Sequence, residues 1–423
     1  MKRVKGSVEK EMFPEEKIYD LIVIGAGMMG SAAAYHASQL PNTSVCLVGP
    51  PEPKIRKEHE IFGSWFDEGR TCGPVNTSHT WCNLAAKSVK RFRDLENMTG
   101  INFYTESPFV HVYSDKKDLQ ENLEIFQQYE PKTEDITKKW KDVFPFLHLP
   151  DGAYVSWIKR NAGHLNPRQL VKAHQTAAQM LGAKILYKIV SSVLPSNCAT
   201  HKWHVVTECD SVLRGHRVLV TAGSFAPFKS LFHHVAPHMV PELNLRTQTI
   251  SFLQVSEEEA HRLRSMPCIV AKVPFGNLDG AYILPPIKYP DGHWYLKLGH
   301  GRAYEERKTT LQEVREWYVQ QTGNVECVKE LARYLCYILP GLKVEKICGD
   351  GCLTAHTPNS EPYIDIVVDG FGVALGGNGY GAKACDEIGH LAAHLALTGE
   401  WKSEIPKEQL KIIWKRASLL SAE

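Results

Sequence analysis

The sequence predicts an α/β protein with two interleaved domains, one built on a parallel sheet and the other an α+β domain built on a mixed, mostly antiparallel sheet. The parallel sheet is indicated by an apolar run at 21–24, a glycine turn, a helix opening at Ser31 and a second apolar run at 45–48. A further buried run at 218–224 ends in small residues and fits the closing strand of that sheet. Separated strand signals between 227 and 340 predict the antiparallel domain.

The limits of the two domains follow from where these patterns alternate along the chain. We assign three segments to the domain with the parallel sheet, two to the second domain and two to terminal extensions: 19–100, 150–226 and 341–400; 101–149 and 227–340; 1–18 and 401–423. Helices are predicted within them near 83–96, 115–128, 166–180 and 385–397.

The turn after the first strand has the spacing Gly-x-Gly-x-x-Gly. Gly25 permits the tight turn, Gly27 lets the backbone approach a pyrophosphate, and Gly30 lets helix and strand pack closely. The pyrophosphate would lie at the helix N-terminus, where free N–H groups and the helix dipole favour negative charge. Because the motif joins a strand to a helix and leads into a second strand, we predict a Rossmann-type dinucleotide-binding unit.

One part of the dinucleotide fingerprint is missing. The second strand usually ends in an acidic residue that binds a ribose hydroxyl, whereas this one ends at Gly49. Glu52 follows in a proline-rich loop and is one candidate for the ribose, with backbone and water as the other. The motif alone therefore leaves the choice between FAD and NAD(P) open.

Composition argues against several classes of function. A net charge of +2 over 423 residues argues against a nucleic-acid-binding face, and no apolar run approaches the roughly 18 residues of a membrane span. The charged N-terminus lacks a signal-peptide core, and the C-terminus is not a Ser-Lys-Leu peroxisomal address. The 11 cysteines form no CxxC pair, and no HExxH spacing occurs. We expect an intracellular, by default cytoplasmic, protein without disulfides or a metal site.

A specific family resemblance is carried by the segment from Cys352 to Asp365. Cys352 lies six residues before Pro358 of a Thr-Pro pair and thirteen before Asp365. With the glycine turn and the Val-Thr-Ala-Gly strand end at Ala222 and Gly223, this segment resembles the D-amino-acid-oxidase-like FAD superfamily, and within it the monomeric sarcosine oxidase and N-methyl amino acid oxidase branch. The resemblance implies FAD as cofactor, a thioether from Cys352 to the flavin, and a monomer. The alternative for Cys352 is a buried structural cysteine.

The glycine-rich segment 376–383 provides a second match. Small residues such as Gly377, Gly379 and Gly381 let backbone pass beside an isoalloxazine ring. The resemblance assigns Lys383 to the substrate carboxylate, with a solvated lysine at a helix start as the alternative. Tyr380 replaces a histidine that is common in this branch, so contact near the substrate amine is altered.

Two further basic residues match the family's pattern. Lys297, inside an apolar strand, takes the place of a lysine beside flavin N5 that promotes reaction with oxygen; the alternative is an exposed edge-strand lysine. Arg70 matches the first of two arginines in a loop over the flavin. The second, which helps to clamp the substrate carboxylate, falls at Gly73, so the acid group would be recognised differently, with His300 and Arg302 as candidates.

The resemblance implies an FAD-dependent oxidase of an amino acid or N-alkyl amino acid. Its substrates would be the small amine and O2, and its products an imine and H2O2. Two alternatives remain open at this stage: a dehydrogenase that uses another electron acceptor, and a flavin-binding protein without turnover of small amines.

Overall fold

The computed structural model describes residues 17–54, 63–76 and 78–417. Most of the N-terminal extension, the end of the C-terminal one, and the predictions about a signal peptide and a peroxisomal address lie outside these residues. The α-helices are α1 (Met28–Ser38), α2 (His79–Thr99), α3 (Lys116–Tyr129), α4 (Trp140–Val143), α5 (Pro167–Met180), α6 (Glu257–Arg262), α7 (Leu311–Gln320), α8 (Val325–Ile338) and α9 (Gly381–Thr398). The four predicted helices are confirmed as α2, α3, α5 and α9.

Strands make up the two main layers of the molecule. They are β1 (Ile18–Ile24), β2 (Val45–Gly49), β3 (Arg70–Cys72), β4 (Tyr104–Glu106), β5 (Phe109–Tyr113), β6 (Glu134–Asp135), β7 (Tyr154–Ile158), β8 (Gly163–Leu165), β9 (Lys184–Tyr187), β10 (Val190–Pro195), β11 (Trp203–Thr207), β12 (Val212–Val220), β13 (Met239–Pro241), β14 (Asn244–Val255), β15 (Cys268–Lys272), β16 (Ala281–Lys288), β17 (Trp294–His300), β18 (Arg307–Lys308), β19 (Lys346–His356), β20 (Tyr363–Val368), β21 (Phe371–Leu375) and β22 (Trp414–Arg416).

The first sheet has a parallel centre in the order β21-β12-β1-β2-β9, with β10, β11 and β20 added by antiparallel pairing. Its central strands are buried on both faces, which explains why they read as continuous apolar runs. The βαβ unit predicted around the glycine turn is confirmed as β1, α1 and β2.

The second sheet has nine strands in the order β18-β14-β17-β16-β15-β5-β7-β6, with β19 beside β14. All of its pairings are antiparallel except that of β15 with β5, so the predicted mixed, mostly antiparallel sheet is confirmed. Two of its strands, β7 and β19, come from segments that we assigned to the other domain. The pairing of β19 with β14 over residues 346–356 carries Cys352 into this sheet. The domain limits themselves stay a prediction.

The last helix, α9, is fixed by close packing and by a buried acid. A Cβ on Gly389 would lie 2.5 Å from the backbone N of Ala33, so α9 and α1 approach closely. Asp386 accepts hydrogen bonds from His36 at 2.9 Å, His174 at 3.0 Å and Arg91 at 2.6 Å. Burial alone would raise the pKa of Asp386, but these neighbours hold it well below its usual value. Within the described segments, no helix is both long and apolar enough to cross a membrane.

Two partly buried histidines make stability depend on pH. Burial lowers the pKa of His164 and of His356 to about 4, from 6.5. Below pH 6.5 the unfolded chain therefore takes up protons that the folded chain excludes, so stability present at neutral pH is lost as the pH falls toward 4. We expect the free energy of unfolding to drop by roughly 1–2 kcal/mol per histidine between about pH 7 and 5.

Thermal unfolding at a fixed FAD concentration checks this expectation. The midpoint should fall over that pH range, and the fall should be shallower in His164→Gln. An unchanged slope in the variant would contradict the assignment of a neutral, partly buried His164.

Candidate active site

An open cleft of about 1410 Å³ lies at the carboxyl ends of β1 and β12. Ligands of open α/β sheets bind at this end of the strands. Nine of the ten residues predicted to bind a cofactor line the cleft; the tenth, Gly30, does not. The nine are Gly25, Gly27, Arg70, Ala222, Gly223, Cys352, Gly377, Gly379 and Gly381. The structure thus brings the glycine turn at 25–27 together with Cys352 and the glycine segment 376–381 at one site.

Gly30 does not line the cleft because it packs against the turn at Gly25. A Cβ on Gly30 would stand 1.8 Å from the carbonyl O of Gly25, so only glycine allows α1 to pack against the turn. Among the described residues no side chain caps the N-terminus of α1, and Met28 and Met29 of its first turn line the cleft. Free N–H groups at this helix end suit a phosphate.

The end of β2 bears on the two alternatives for the ribose. Gly49 lines the cleft, and a Cβ there would lie 2.4 Å from the backbone N of Ala26. Glu52 does not line the cleft; its carboxylate pairs with Arg168. At the end of β2 the cleft is therefore lined by the backbone of Gly49 and not by the side chain of Glu52.

Cys352 projects from β19 toward the cleft and is partly exposed. Its Sγ lies 3.7 Å from Nη2 of Arg70 and 3.9 Å from the carbonyl O of Ser64. The backbone is held by Trp317, whose Nε1 donates to the Cys352 carbonyl at 2.8 Å. Cys348 lines a different cavity. The sulfur of Cys352 is thus positioned on the cofactor side of the sheet.

Lys297 lies on β17 with no exposed surface, which excludes the exposed edge-strand alternative. Its Nζ donates to Oδ2 of Asp67 and, at 2.6 Å, to the carbonyl O of Gly69. Nη1 of Arg70 donates to the same Oδ2, and the hydroxyl of Tyr289 donates to Oδ1 at 2.9 Å. One buried carboxylate therefore serves two cations, one of which, Arg70, lines the cleft.

Burial and charge set the protonation of this cluster. Burial and the Arg70 charge lower the pKa of Lys297 to about 8, although Asp67 opposes them. For Asp67, burial favours the neutral acid, but Arg70 and Lys297 hold its pKa well below the usual range. At neutral pH the cluster contains two positive charges and one negative charge, which suits a site where negative charge develops.

Lys383 is also buried, in the first turn of α9. Its Nζ donates to the carbonyl O of Val75 at 3.0 Å and lies 5.1 Å from the ring centroid of Tyr380. No carboxylate of the described residues pairs with it, and burial lowers its pKa to about 8. This burial excludes the solvated-lysine alternative. Lys383, Lys297 and Tyr380 do not line the cleft themselves, although Gly381 and Ala382 do.

The backbone at Gly73 leaves no room for a side chain. Its φ is +119°, and a Cβ would lie 2.8 Å from Cα of Ala162. A side chain at this position therefore requires the backbone to move. Neither of the two candidate substitutes, His300 and Arg302, lines the cleft. His300 accepts a hydrogen bond from the backbone N–H of Thr249 at 2.9 Å, and Arg302 is exposed.

A model of the FAD-dependent oxidoreductase family named DAO matches residues 20–395. The chain belongs to this family. Monomeric sarcosine oxidase of Arthrobacter sp. (strain TE1826) is 23% identical over 409 residues, covering 92% of this chain and 95% of that protein. N-methyl-L-tryptophan oxidase of Yersinia pestis (strain Pestoides F) is 22% identical over 389 residues, covering 89% and 95%. The crystal structure of L-proline dehydrogenase from P. horikoshii has a TM-score of 0.73 at 19% identity, covering 94% and 97%.

This family member is an FAD-dependent oxidoreductase, and its cleft fits FAD on two observations. The first is a wall of glycines that leaves backbone exposed where a flavin and a pyrophosphate would lie. The second is the uncapped N-terminus of α1 beside that wall. Arg70, Cys352 and the glycine segment 376–381 would hold the flavin end, and the turn at 25–27 the pyrophosphate.

Sequence reasoning missed several residues at this site. Asp67, Tyr289, Trp65 and Tyr318 belong to it by contact with predicted residues or by lining the cleft. Asp67 carried one usable signal, since an acid three residues before Arg70 can pair with it. The others carry none, because only the fold brings them to the cleft.

Within the described residues no cluster of His, Cys, Asp or Glu is arranged to hold a metal ion.

Proposed function

We propose that this protein is an FAD-dependent oxidase of amino acids or N-alkyl amino acids. The observation that carries the proposal is Lys383, a buried ammonium that no carboxylate in the described part of the chain pairs with, next to glycines that line the cofactor cleft. A buried charge is costly unless a partner compensates for it, and a substrate carboxylate is such a partner. The names of the two relatives, sarcosine oxidase and N-methyl-L-tryptophan oxidase, support an N-methylated amino acid as substrate.

Each residue of the site has a proposed part in this reaction. Bound FAD would supply a two-electron acceptor for oxidation of the C–N bond, with O2 as the final acceptor that yields H2O2. Lys383 binds the substrate carboxylate and so holds the C–N carbon in place, with the Tyr380 ring beside it. Lys297 provides positive charge for the reaction with O2. The oxidised substrate leaves as an imine, which water hydrolyses.

The glycine at position 73 has a consequence for the choice of substrate. A lysine is a point charge, whereas an arginine binds a carboxylate through two parallel hydrogen bonds. Because an arginine side chain at Gly73 is blocked by Ala162, the acid group is held by Lys383 alone among the predicted cations. We therefore propose a looser carboxylate site that accepts bulkier amino acids.

A substrate panel tests the proposed function. Sarcosine, N-methyl-L-tryptophan and L-proline are mixed anaerobically with the holoenzyme, loss of the yellow flavin colour is recorded, and H2O2 is measured after aeration. Bleaching followed by H2O2 supports the oxidase. Bleaching without H2O2 supports the dehydrogenase alternative, and no bleaching by any amino acid or N-methyl amine supports a flavin-binding protein without turnover.

We further propose that FAD is attached covalently through Cys352, on the basis of its partly exposed sulfur beside Arg70 in the cleft. Acid precipitation of the purified protein should then leave the yellow colour in the pellet. In Cys352→Ala the colour should move to the supernatant, because a non-covalent flavin is released when the fold is lost.

Cys348→Ala is the matched control, since Cys348 lies on the same strand but lines another cavity. Its colour should stay in the pellet. Release of all flavin from the wild-type protein would reject the covalent bond while leaving FAD binding intact.

A further inference from the structure

The carboxylate of Asp67 has more partners than a simple ion pair requires. Its side chain is buried, and Oδ2 accepts hydrogen bonds from Lys297 and Arg70. Oδ1 accepts from the hydroxyl of Tyr289 at 2.9 Å and from the backbone N–H of Glu68 at 2.7 Å. Four donors, two from its own loop and two from distant residues of the second sheet region, therefore fix its position, which is typical of a preorganised polar network.

Asp67 links Lys297 to the cofactor cleft, because it hydrogen-bonds both Lys297 and Arg70. Lys297 does not line the cleft, but Arg70 does, and Arg70 also contacts the sulfur of Cys352. The titratable and charged groups around Nζ of Lys297 are Asp67, Arg70, Cys352 on β19 and Tyr282 on β16, whose ring centroid is 5.8 Å away. Among these groups only Asp67 is both negatively charged at neutral pH and in contact with Nζ.

Opposing forces act on the proton of Lys297. Removal from water and the neighbouring guanidinium both favour the neutral amine, whereas the carboxylate favours the ammonium. Without Asp67, two cations would face each other in a buried site, and the lysine is the one that can lose its charge, because a guanidinium does not deprotonate in proteins.

We propose that Asp67 is a positioning residue that keeps Lys297 protonated and thereby sets the pH limit of the reaction with O2. This inference rests on the oxidase function proposed above. Reduction of O2 to H2O2 takes two electrons and two protons; reduced FAD supplies both electrons and one proton, and solvent supplies the other. Lys297 is not consumed: its ammonium stabilises the negative charge that develops on oxygen.

Solvent can reach this network from a second cavity. Asp67 and Tyr289 line a space of about 1040 Å³ that is separate from the cofactor cleft. The space is open to the surface and is lined by charged side chains such as Glu68, Arg168 and Asp350 as well as by aromatic ones, so it holds water. The protonation of Lys297 can therefore equilibrate with bulk pH through its carboxylate partner, and its titration is measurable in the assembled holoenzyme.

The test uses two pH titrations of the holoenzyme between about pH 6 and 10. In the first, the visible absorption of oxidised FAD reports the nearby charge without substrate or O2. In the second, photochemically reduced holoenzyme is mixed with oxygenated buffer and the rate of reoxidation is measured. We expect both curves of the wild type to share a midpoint near the Lys297 pKa of about 8. In Asp67→Asn both midpoints should move down by roughly 1–3 pH units.

Control variants separate this role from a loss of folding. Glu68→Gln changes the adjacent acid, which pairs with Arg168 at 2.6 Å instead of Lys297, and should keep the wild-type midpoint. Because Lys383 also has a pKa of about 8, Lys297→Met is compared with its parent in a Lys383→Met background, where it should remove the transition from both curves. Asp67→Glu should restore the midpoint toward wild type, and Asp67→Ser, which leaves room for a water, gives a second measurement if the asparagine variant does not fold.

Two results would overturn the proposal: an unshifted midpoint in folded, FAD-loaded Asp67→Asn or Asp67→Ser, or a transition that persists in Lys297→Met in the Lys383→Met background. Failure of the oxidase function is a different result. It would appear as wild-type reoxidation no faster than that of free reduced flavin in the same buffer, while the absorption titration still tests the pairing of Asp67 with Lys297.

Discussion

Replacement of Lys383 by alanine is expected to lower kcat/KM for amino acid substrates by roughly 30-fold or more. The ammonium of Lys383 is buried, and among the described residues its partners are the Val75 carbonyl and the Tyr380 ring, with no carboxylate, so the substrate carboxylate would lose its one predicted cation. Truncating one partner of a buried charge pair costs about 2–5 kcal/mol, and about 1.4 kcal/mol corresponds to a factor of ten. The measurement is the rate of anaerobic flavin reduction as a function of substrate concentration.

The lowered pKa of Lys383 predicts in which direction the rate of flavin reduction changes with pH. Because burial lowers the pKa of Lys383 to about 8, the free enzyme loses this positive charge as the pH rises through that value. The rate constant for anaerobic reduction at low substrate should fall above about pH 8, and this component of the fall should be absent in Lys383→Ala.

Lys90→Ala, which removes an exposed lysine of α2, is the matched control and should behave as wild type. Acetate adds a measurement that does not depend on turnover. Its binding should perturb the flavin spectrum of wild type and not that of Lys383→Ala. An unchanged kcat/KM in the variant would place carboxylate recognition elsewhere.

Replacement of Lys297 by methionine is expected to slow the reaction of reduced enzyme with O2 by roughly 100- to 1000-fold. Electron transfer to O2 creates negative charge in a buried site, and removal of one preorganised donor from such a site has an effect of this size. Methionine has a similar length and no charge, so the side-chain volume is largely kept. The measurement is H2O2 production together with direct reoxidation of photoreduced enzyme.

Two comparisons make this result specific to oxygen. A dye acceptor bypasses O2, so the loss in a dye-linked assay should be much smaller. Lys272→Met removes a partly buried lysine of β15 in the same sheet and should keep wild-type oxygen reactivity. Full H2O2 production by Lys297→Met would argue against the oxidase and favour the dehydrogenase alternative.

The cofactor cleft could be predicted from sequence because its signals are local. The turn at 25–30 combines a strand, three glycines and a helix start within ten residues, and each glycine has a backbone reason that the structure reproduces for Gly25 and Gly30. The segment 376–383 has the same local character. Spacing within one segment is sufficient to recognise such features, since neighbouring residues remain neighbours in any fold.

The partners of the two lysines could not be predicted in the same way. Asp67 and Lys297 are 230 residues apart in the chain, and Lys383 and Val75 are 308 apart. No periodicity or motif links such positions. Likewise, a side chain at Gly73 would clash with Ala162. These two residues are neighbours only because β3 pairs with β8.

The sequence by itself determined the fold class, the nucleotide-binding turn and the residue types available for chemistry, because apolar periodicity and glycine spacing encode local backbone structure. Tertiary structure decided which of those residues share a site and in what state of charge. It bonded His300 to backbone, exposed Arg302, buried both lysines, and gave Lys297 a carboxylate partner but, among the described residues, gave Lys383 none. Protonation depends on burial and on charges from distant segments, and only the folded chain defines these.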